Sequence, residues 1–171
     1  MDRHREDRLD DGQVESYLAL MEVAGQLRFR LESHLRSESE LSYVQFEILA
    51  RLMRAPGTGM RMTDLADGIV LSRSGLTYQV GRLEGAGCVA RSASPDDERS
   101  TIVELTPAGR QLFLELLPGH VEIARTLLFD AVPDSEIAAL GDAMSRIRDH
   151  IRSLRPRSAH RTATIDPAAE L

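Results

Sequence analysis

Apolar residues recur along most of the chain in steps of three and four, and the places where that rhythm breaks are where the chain turns. Val14, Leu18, Met21, Leu27, Leu31 and Leu35, with Ser, Glu and Arg between them, have the spacing of one face of a long helix. The segment "LSYVQFEILARLMRAPG" predicts a second helix. Ser42 is its N-cap, Gln45 completes a capping box, Leu41 is placed to staple onto Phe46, and Pro56-Gly57 ends it. In "MTDLADGI" a shorter third helix is expected, with Thr63 as cap, Asp64 at the positive end, and Leu65, Ala66 and Ile69 inward.

The segment "LSRSGLTYQVGRLEGAG" follows almost at once. Ser72 is a good N-cap and Gly87 a good residue just past the C-terminus, and Leu76, Val80 and Leu83 fall within about 60° of one another on a wheel of 3.6 residues per turn. "CVARSASPDDERSTIVEL" then holds two β-prone runs, Cys88 to Ser92 and Thr101 to Leu105, around a turn-rich centre. "LTPAG" opens another helix, capped by Thr106 with Pro107 at its first position. Its apolar face continues through Leu112, Phe113, Leu116, Leu117, Val121, Ala124 and Leu128, and Pro118-Gly119 is expected to kink or break it. After Pro133, the residues Ile137, Leu140, Met144, Ile147, Ile151 and Leu154 keep the heptad rhythm of a helix that needs a partner. With the first helix and the 112–128 stripe also needing cover, a dimer interface is the better use of that stripe.

The outward face of the fourth helix changes the picture. Ser74, Thr77, Tyr78, Gly81 and Arg82 project away from the buried side, and no acid lies between Ser72 and Leu83. Solvated helix faces ordinarily mix both signs of charge, whereas hydroxyls and Arg without Glu suit phosphates and base edges. Two short helices joined tightly, the second so decorated, predict a helix-turn-helix, and the hairpin after it a wing. Ser72, Arg73, Ser74, Thr77, Tyr78 and Arg82 are the candidate contacts, with Arg61 just before the third helix as a candidate for phosphate. For Tyr78 packing at a domain edge is the alternative, and for each Arg an idle surface charge.

Composition narrows the classes. The 171 residues suit one domain with appended helices, and the net charge of −6 argues against indiscriminate nucleic-acid binding while leaving room for a local basic face. All 21 basic side chains are Arg, which we read as compositional bias. No run of apolar residues reaches the roughly 20 of a membrane span, and the N-terminal "MDRHREDRLDDG" lacks the apolar core of a secretory signal, so a cytoplasmic protein is expected. The one cysteine, Cys88, reads as a small core residue, and the five histidines are too scattered for a metal site. No nucleophile elbow, zinc-protease motif or phosphate-binding glycine loop is present, so neither an enzyme nor a cofactor is expected.

Taken in order, "LSYVQFEILARL", the run from "RMTDLADGIV" through "RLEGAGCVAR", the wing Asp97-Glu98-Arg99 seven residues before Thr106, and two terminal helices resemble the multiple-antibiotic-resistance-regulator (MarR) family over about residues 14–154. The resemblance implies a mainly α fold with a small β-hairpin: a winged helix-turn-helix with N- and C-terminal dimerisation helices. It implies a homodimer on a pseudo-palindromic operator in double-stranded DNA, the recognition helix in the major groove and Arg99 of the wing in the minor groove, oriented by Asp97. Electrostatics agrees with that orientation, since Asp96, Asp97 and Glu98 would repel DNA if all faced it. The resemblance also implies repression relieved by a small aromatic or anionic effector, with Arg30, His34, Tyr43 and Phe46 as candidate cleft residues.

The expected organisation is a disordered arm (1–12), an N-terminal dimerisation helix (13–40), the winged helix-turn-helix (41–106), C-terminal dimerisation helices (107–154, with Ile137, Leu140, Met144, Ile147, Ile151 and Leu154 at the seam) and a disordered Arg-rich tail (155–171). The competing function is a winged-helix module that binds another protein, which would require a larger apolar patch on the recognition face.

Overall fold

Reciprocal caps fix where the first two helices begin in the computed structural model, which describes residues 8–55, 59–69, 71–94 and 97–154, without the side chains of 97–99. Asp10 accepts from the Gln13 amide at 2.8 Å while the Gln13 side chain accepts from the Asp10 amide at 3.0 Å, so α1 spans Asp11–Glu38. The expected arm over 1–12 is therefore shorter: Asp11 and Gly12 are helical because Asp10, not a later residue, supplies the cap. Residues 1–7 lie outside the described residues, as does the expected tail from 155. Helix α2, Tyr43–Arg54, opens on the expected Ser42/Gln45 box, and Leu41 and Phe46 are both buried beside it.

The described chain continues as β1 (Gly59–Arg61), α3 (Met62–Gly68), α4 (Arg73–Gly85), β2 (Val89–Ser94), β3 (Asp97–Leu105), α5 (Pro107–Leu127), a short 3-10 turn (Phe129–Ala131) and α6 (Asp134–Leu154). The hairpin strands run longer than the sequence pattern suggests, and β1 adds a third, giving an antiparallel sheet in the order β1-β3-β2. Arg61 pairs with Ile102, Val89 with Leu105 and Arg91 with Val103; the β2–β3 register shifts between Ala93 and Ser94. Thr63 is not the cap of α3: the cap position is Arg61, without a side-chain hydrogen bond, because the strand runs directly into the helix and leaves Thr63 inside it.

Two compact units divide the chain, Met1–Leu128 and Phe129–Leu171. In the first, one core draws Leu35 from α1, Phe46, Ile48 and Leu49 from α2, Leu65 from α3, Leu76, Val80 and Leu83 from α4, Val89 and Val103 from the sheet, and Phe113 and Leu116 from α5. Helix α5 runs unbroken through Pro118, where the sequence predicts a kink or a break. Phe113 and Leu116 are buried on one side, and at Gly119 the His34 ring fills the place a Cβ would take, with Nε2 at 2.6 Å from it; this packing holds the helix across the missing hydrogen bond. In the second unit α6 has no buried residue, and Leu140, Met144, Ile147, Ile151 and Leu154 are exposed. No described helix is long and apolar enough to cross a membrane.

Candidate nucleic-acid interface

Helix α4 owes its placement to its two ends and its inner face. Ser72 Oγ accepts from the Gly75 amide at 3.1 Å, closing the N-terminus as the sequence predicts. At the other end Gly87 takes φ +72°, its amide reaches the Glu84 carbonyl at 2.9 Å and the Cys88 amide reaches Leu83 at 2.9 Å. Those two bonds form a Schellman motif and turn the chain straight into β2. Leu76, Val80 and Leu83 are buried, so the opposite face has no choice but to look outward.

That outward face holds Ser72, Arg73, Ser74, Thr77, Tyr78 and Arg82, all exposed. Tyr78 is 63% exposed, so it does not pack at a domain edge. Thr77 Oγ1 donates to the Arg73 carbonyl at 2.9 Å, and the Ser72 and Ser74 hydroxyls lie 3.2 Å apart. Ser74, Thr77, Tyr78, Gly81 and Arg82 line a shallow recess together with Arg91 of β2. Arg91 is the residue that sequence reasoning missed. Its guanidinium, Nε 2.9 Å from Glu84 Oε2, joins α4 to the sheet and holds the Glu84 carboxyl below the usual carboxylate range. The first acid after the recognition face in sequence, Glu84, is thus paired with a cation.

Arg61 stands on β1 and is not among the residues lining this recess. Asp97 and Arg99 have backbone positions in β3, but their side chains, and hence the expected orientation of Arg99 by Asp97, lie outside the described residues.

The four candidate effector residues do not share one site. Tyr43 lines a groove with Ala24, Leu27, Arg28, Leu31, Val44, Glu47 and Ile69. The guanidinium of Arg28, not of Arg30, sits over its ring at 5.5 Å from the centroid. Burial, then the Glu47 charge, pushes the Tyr43 phenol up. Arg30 is exposed and lines neither recess nor groove. Phe46 is buried and stacks on Phe113 and on His120, with centroids at 5.2 and 4.6 Å. His34 Nε2 lies 3.3 Å from the Leu116 carbonyl, and burial, then the nearby His34, pushes the His120 imidazole down. The two histidines, widely separated in sequence, therefore converge where α1 meets α5; among the described residues no three His, Cys, Asp or Glu side chains gather as metal ligands would. Cys88 is buried in the core, and burial pushes its thiol up.

The MarR family model matches residues 41–101, the segment from the start of α2 into β3. Among solved structures, the chain is similar to AbsC, a MarR family transcriptional regulator of Streptomyces coelicolor, with 30% identity, a TM-score of 0.78, and coverage of 85% of this chain and 98% of AbsC. It is similar to Sco3205, a MarR family regulator of the same organism solved in complex with DNA, with 28% identity, a TM-score of 0.78, and coverage of 84% and 94%. A curated relative, the transcriptional repressor YetL of Bacillus subtilis, is 26% identical over 142 residues, 81% of this chain and 84% of YetL.

Proposed function

The chain belongs to the MarR family of transcriptional regulators, and from that premise we propose that it works as a homodimer on a two-fold operator in double-stranded DNA, α4 lying in the major groove. The observation that carries the proposal is the α4 face, where Ser74, Thr77, Tyr78 and Arg82 meet Arg91 in one recess with no acid from Ser72 to Leu83. Hydroxyls and Arg of that kind read base edges and phosphates. Among the described residues, Tyr78 is the only large exposed apolar side chain there, too little for a protein-docking patch. Arg61, and Arg99 oriented by Asp97, are assigned to flanking contacts with the backbone and the minor groove.

Dimerisation is supported separately by each unit. Helix α1 exposes Tyr17, Leu18 and Met21, and α6 exposes Met144, Ile147, Ile151 and Leu154; apolar stripes of that length on a single chain mark interfaces. Two-fold symmetry then sets half-sites about 34 to 36 Å apart. The regulator acts as a cytoplasmic repressor, and a small aromatic effector binds the Tyr43 groove, where Arg28 supplies the cation an anionic group needs. The effector changes operator affinity only by the difference in its own affinity for the two forms.

Retardation of the protein's upstream DNA against random competitor tests this reading. A dimer-sized complex that survives competitor in the parent and is weakened in Tyr78→Ala or Arg82→Ala is the expected result. A stable dimer that shows no preference for any fragment selected from genomic DNA would overturn it.

A further inference from the structure

The recognition helix can read DNA only if the turn before it is held still, and one side chain of α2 does the holding. The Arg51 Nη2 donates to the carbonyl of Gly68, the last residue of α3, and also lies 3.0 Å from Glu47 Oε1. A cation on the final carbonyls of a helix satisfies an acceptor that has no partner within the helix and lies at its negative end. Gly68 lacks a side chain where the guanidinium passes: a Cβ there would meet Arg51 Cζ at 2.6 Å. Ile69 follows, 2% exposed, and Ser72, the cap of α4, is three residues further on. Glu47, the other anchor of Arg51, lines the Tyr43 groove beside Ile69, so the groove is one side chain away from the turn.

We propose that Arg51 is a positioning residue for DNA reading: it fastens the end of α3 to α2, with Glu47 as its anchor, and so fixes the angle at which α4 leaves the turn. Arg51 itself touches no DNA, and its role rests on the DNA-binding reading above. Its Nε is buried without a hydrogen-bond partner among the described residues, so the guanidinium is held by those two partners and by shape. Both partners are taken by the one nitrogen, Nη2, while the rest of the guanidinium fills the space that Gly68 leaves open.

The test uses the full-length parent, Arg51→Ala and Gly68→Ala. The second approaches the same junction from the other side, and since Gly68 is not at positive φ and Ala favours helix over Gly, it expels the guanidinium without weakening the helix itself. Two readouts are taken: the ratio of affinities for the selected operator and for random duplex, and hydrogen exchange at the amides of Ile69, Leu71 and Leu76 in the free protein. Both variants should lower the ratio about tenfold, the scale of removing one hydrogen bond to a charged group, with the salt slope unchanged because every phosphate partner is kept. Exchange at the three amides should rise relative to the rest of the core in both variants. Parent-like exchange at the turn in both variants overturns the fastening whatever the DNA result. Faster exchange with an unchanged ratio overturns the positioning role, and a parent that fails to prefer any operator overturns the DNA reading instead.

Discussion

Replacing Arg91 by Ala separates a phosphate contact from a structural strut. The side chain pairs with Glu84, and both partners are more than a third exposed, at 37% and 35%. Ion pairs this exposed contribute little to stability, so the melting transition should move little. DNA binding should move a great deal, because Arg91 borders the same recess as Tyr78 and Arg82. A phosphate that takes the guanidinium from Glu84 gives up its condensed counterion, and each such pairing contributes about 0.9 to the slope of log affinity against log salt. A dimer makes the pairing twice, so Arg91→Ala should flatten the slope by about 1.8. Over a fourfold rise in salt the advantage of the parent over the variant then shrinks about twelvefold, since four raised to that power is about twelve. Fluorescence anisotropy with a labelled operator at several salt concentrations reads this directly. Parallel lines for the parent and the variant would refute it and return Arg91 to the role of a surface strut. Arg82→Ala offers the contrast: without the guanidinium to read a base edge, sequence preference should relax at one position in each half-site while the others keep theirs.

Three further substitutions probe the frame that carries this face. Gly109→Ala drives a Cβ into the Cys88 carbonyl, with the carbonyl carbon at 2.7 Å, and that carbonyl is already tied to the Thr106 amide at 3.1 Å; a destabilisation of about 3 kcal/mol is expected in chemical denaturation, and parent-like stability would show that the wing and α5 can part freely. The His120 imidazole is pushed down by burial, so the folded state resists its protonation. The stability this group contributes is complete above its unfolded value of about 6.5 and is lost as pH falls below it; His120→Phe, which keeps a ring against Phe46, should melt with a weaker pH dependence between about pH 7.5 and about pH 5.5, and identical slopes would show that His120 has no part in it. Ile147→Glu places a charge on the exposed stripe of α6, where burial against a second copy would cost several kcal/mol; sedimentation should report monomer with helix content kept, and an intact dimer would move the interface elsewhere.

How much of this can be seen in the sequence depends on how local each determinant is. The Ser42/Gln45 box, the Ser72 cap and Gly87 at φ +72° act within a few residues of themselves, so spacing alone predicts α2 and both ends of α4. The inner face of Leu76, Val80 and Leu83 follows from the helical period, and the outer face follows from it by subtraction. Strand β1 escapes sequence reading because three residues, Gly59–Arg61, are too few to carry an alternating pattern, and what makes them a strand is pairing with β3 more than forty residues away. Thr63 takes the cap in a sequence reading for the same reason: without β1, the chain before α3 looks like a loop, where Thr is the obvious cap.

The site divides along the same line. The polar side chains of α4 are legible because they belong to one helix. Arg91 is not, since only the Schellman turn and the β2 register bring it back over Glu84 and beside Tyr78. In "RLEGAGCVAR" the signal is present as an acid and a base seven residues apart, a spacing that leaves the pair two turns apart in a helix and on opposite faces of a strand, and that brings them together only across a helix–strand corner. Arg51 is harder still: its pair with Glu47 is an ordinary i,i+4 helix pair, and the partner that matters is a backbone carbonyl, which has no letter in the sequence and leaves as its trace the glycine at position 68. A glycine near the end of a short helix reads as a terminator, and here it ends α3 and also leaves the space through which α2 reaches the turn. Side chains that position a recognition helix are therefore best sought where a helix-terminal glycine faces a long cation from another element, because there the missing side chain and the extended one are two halves of a single junction.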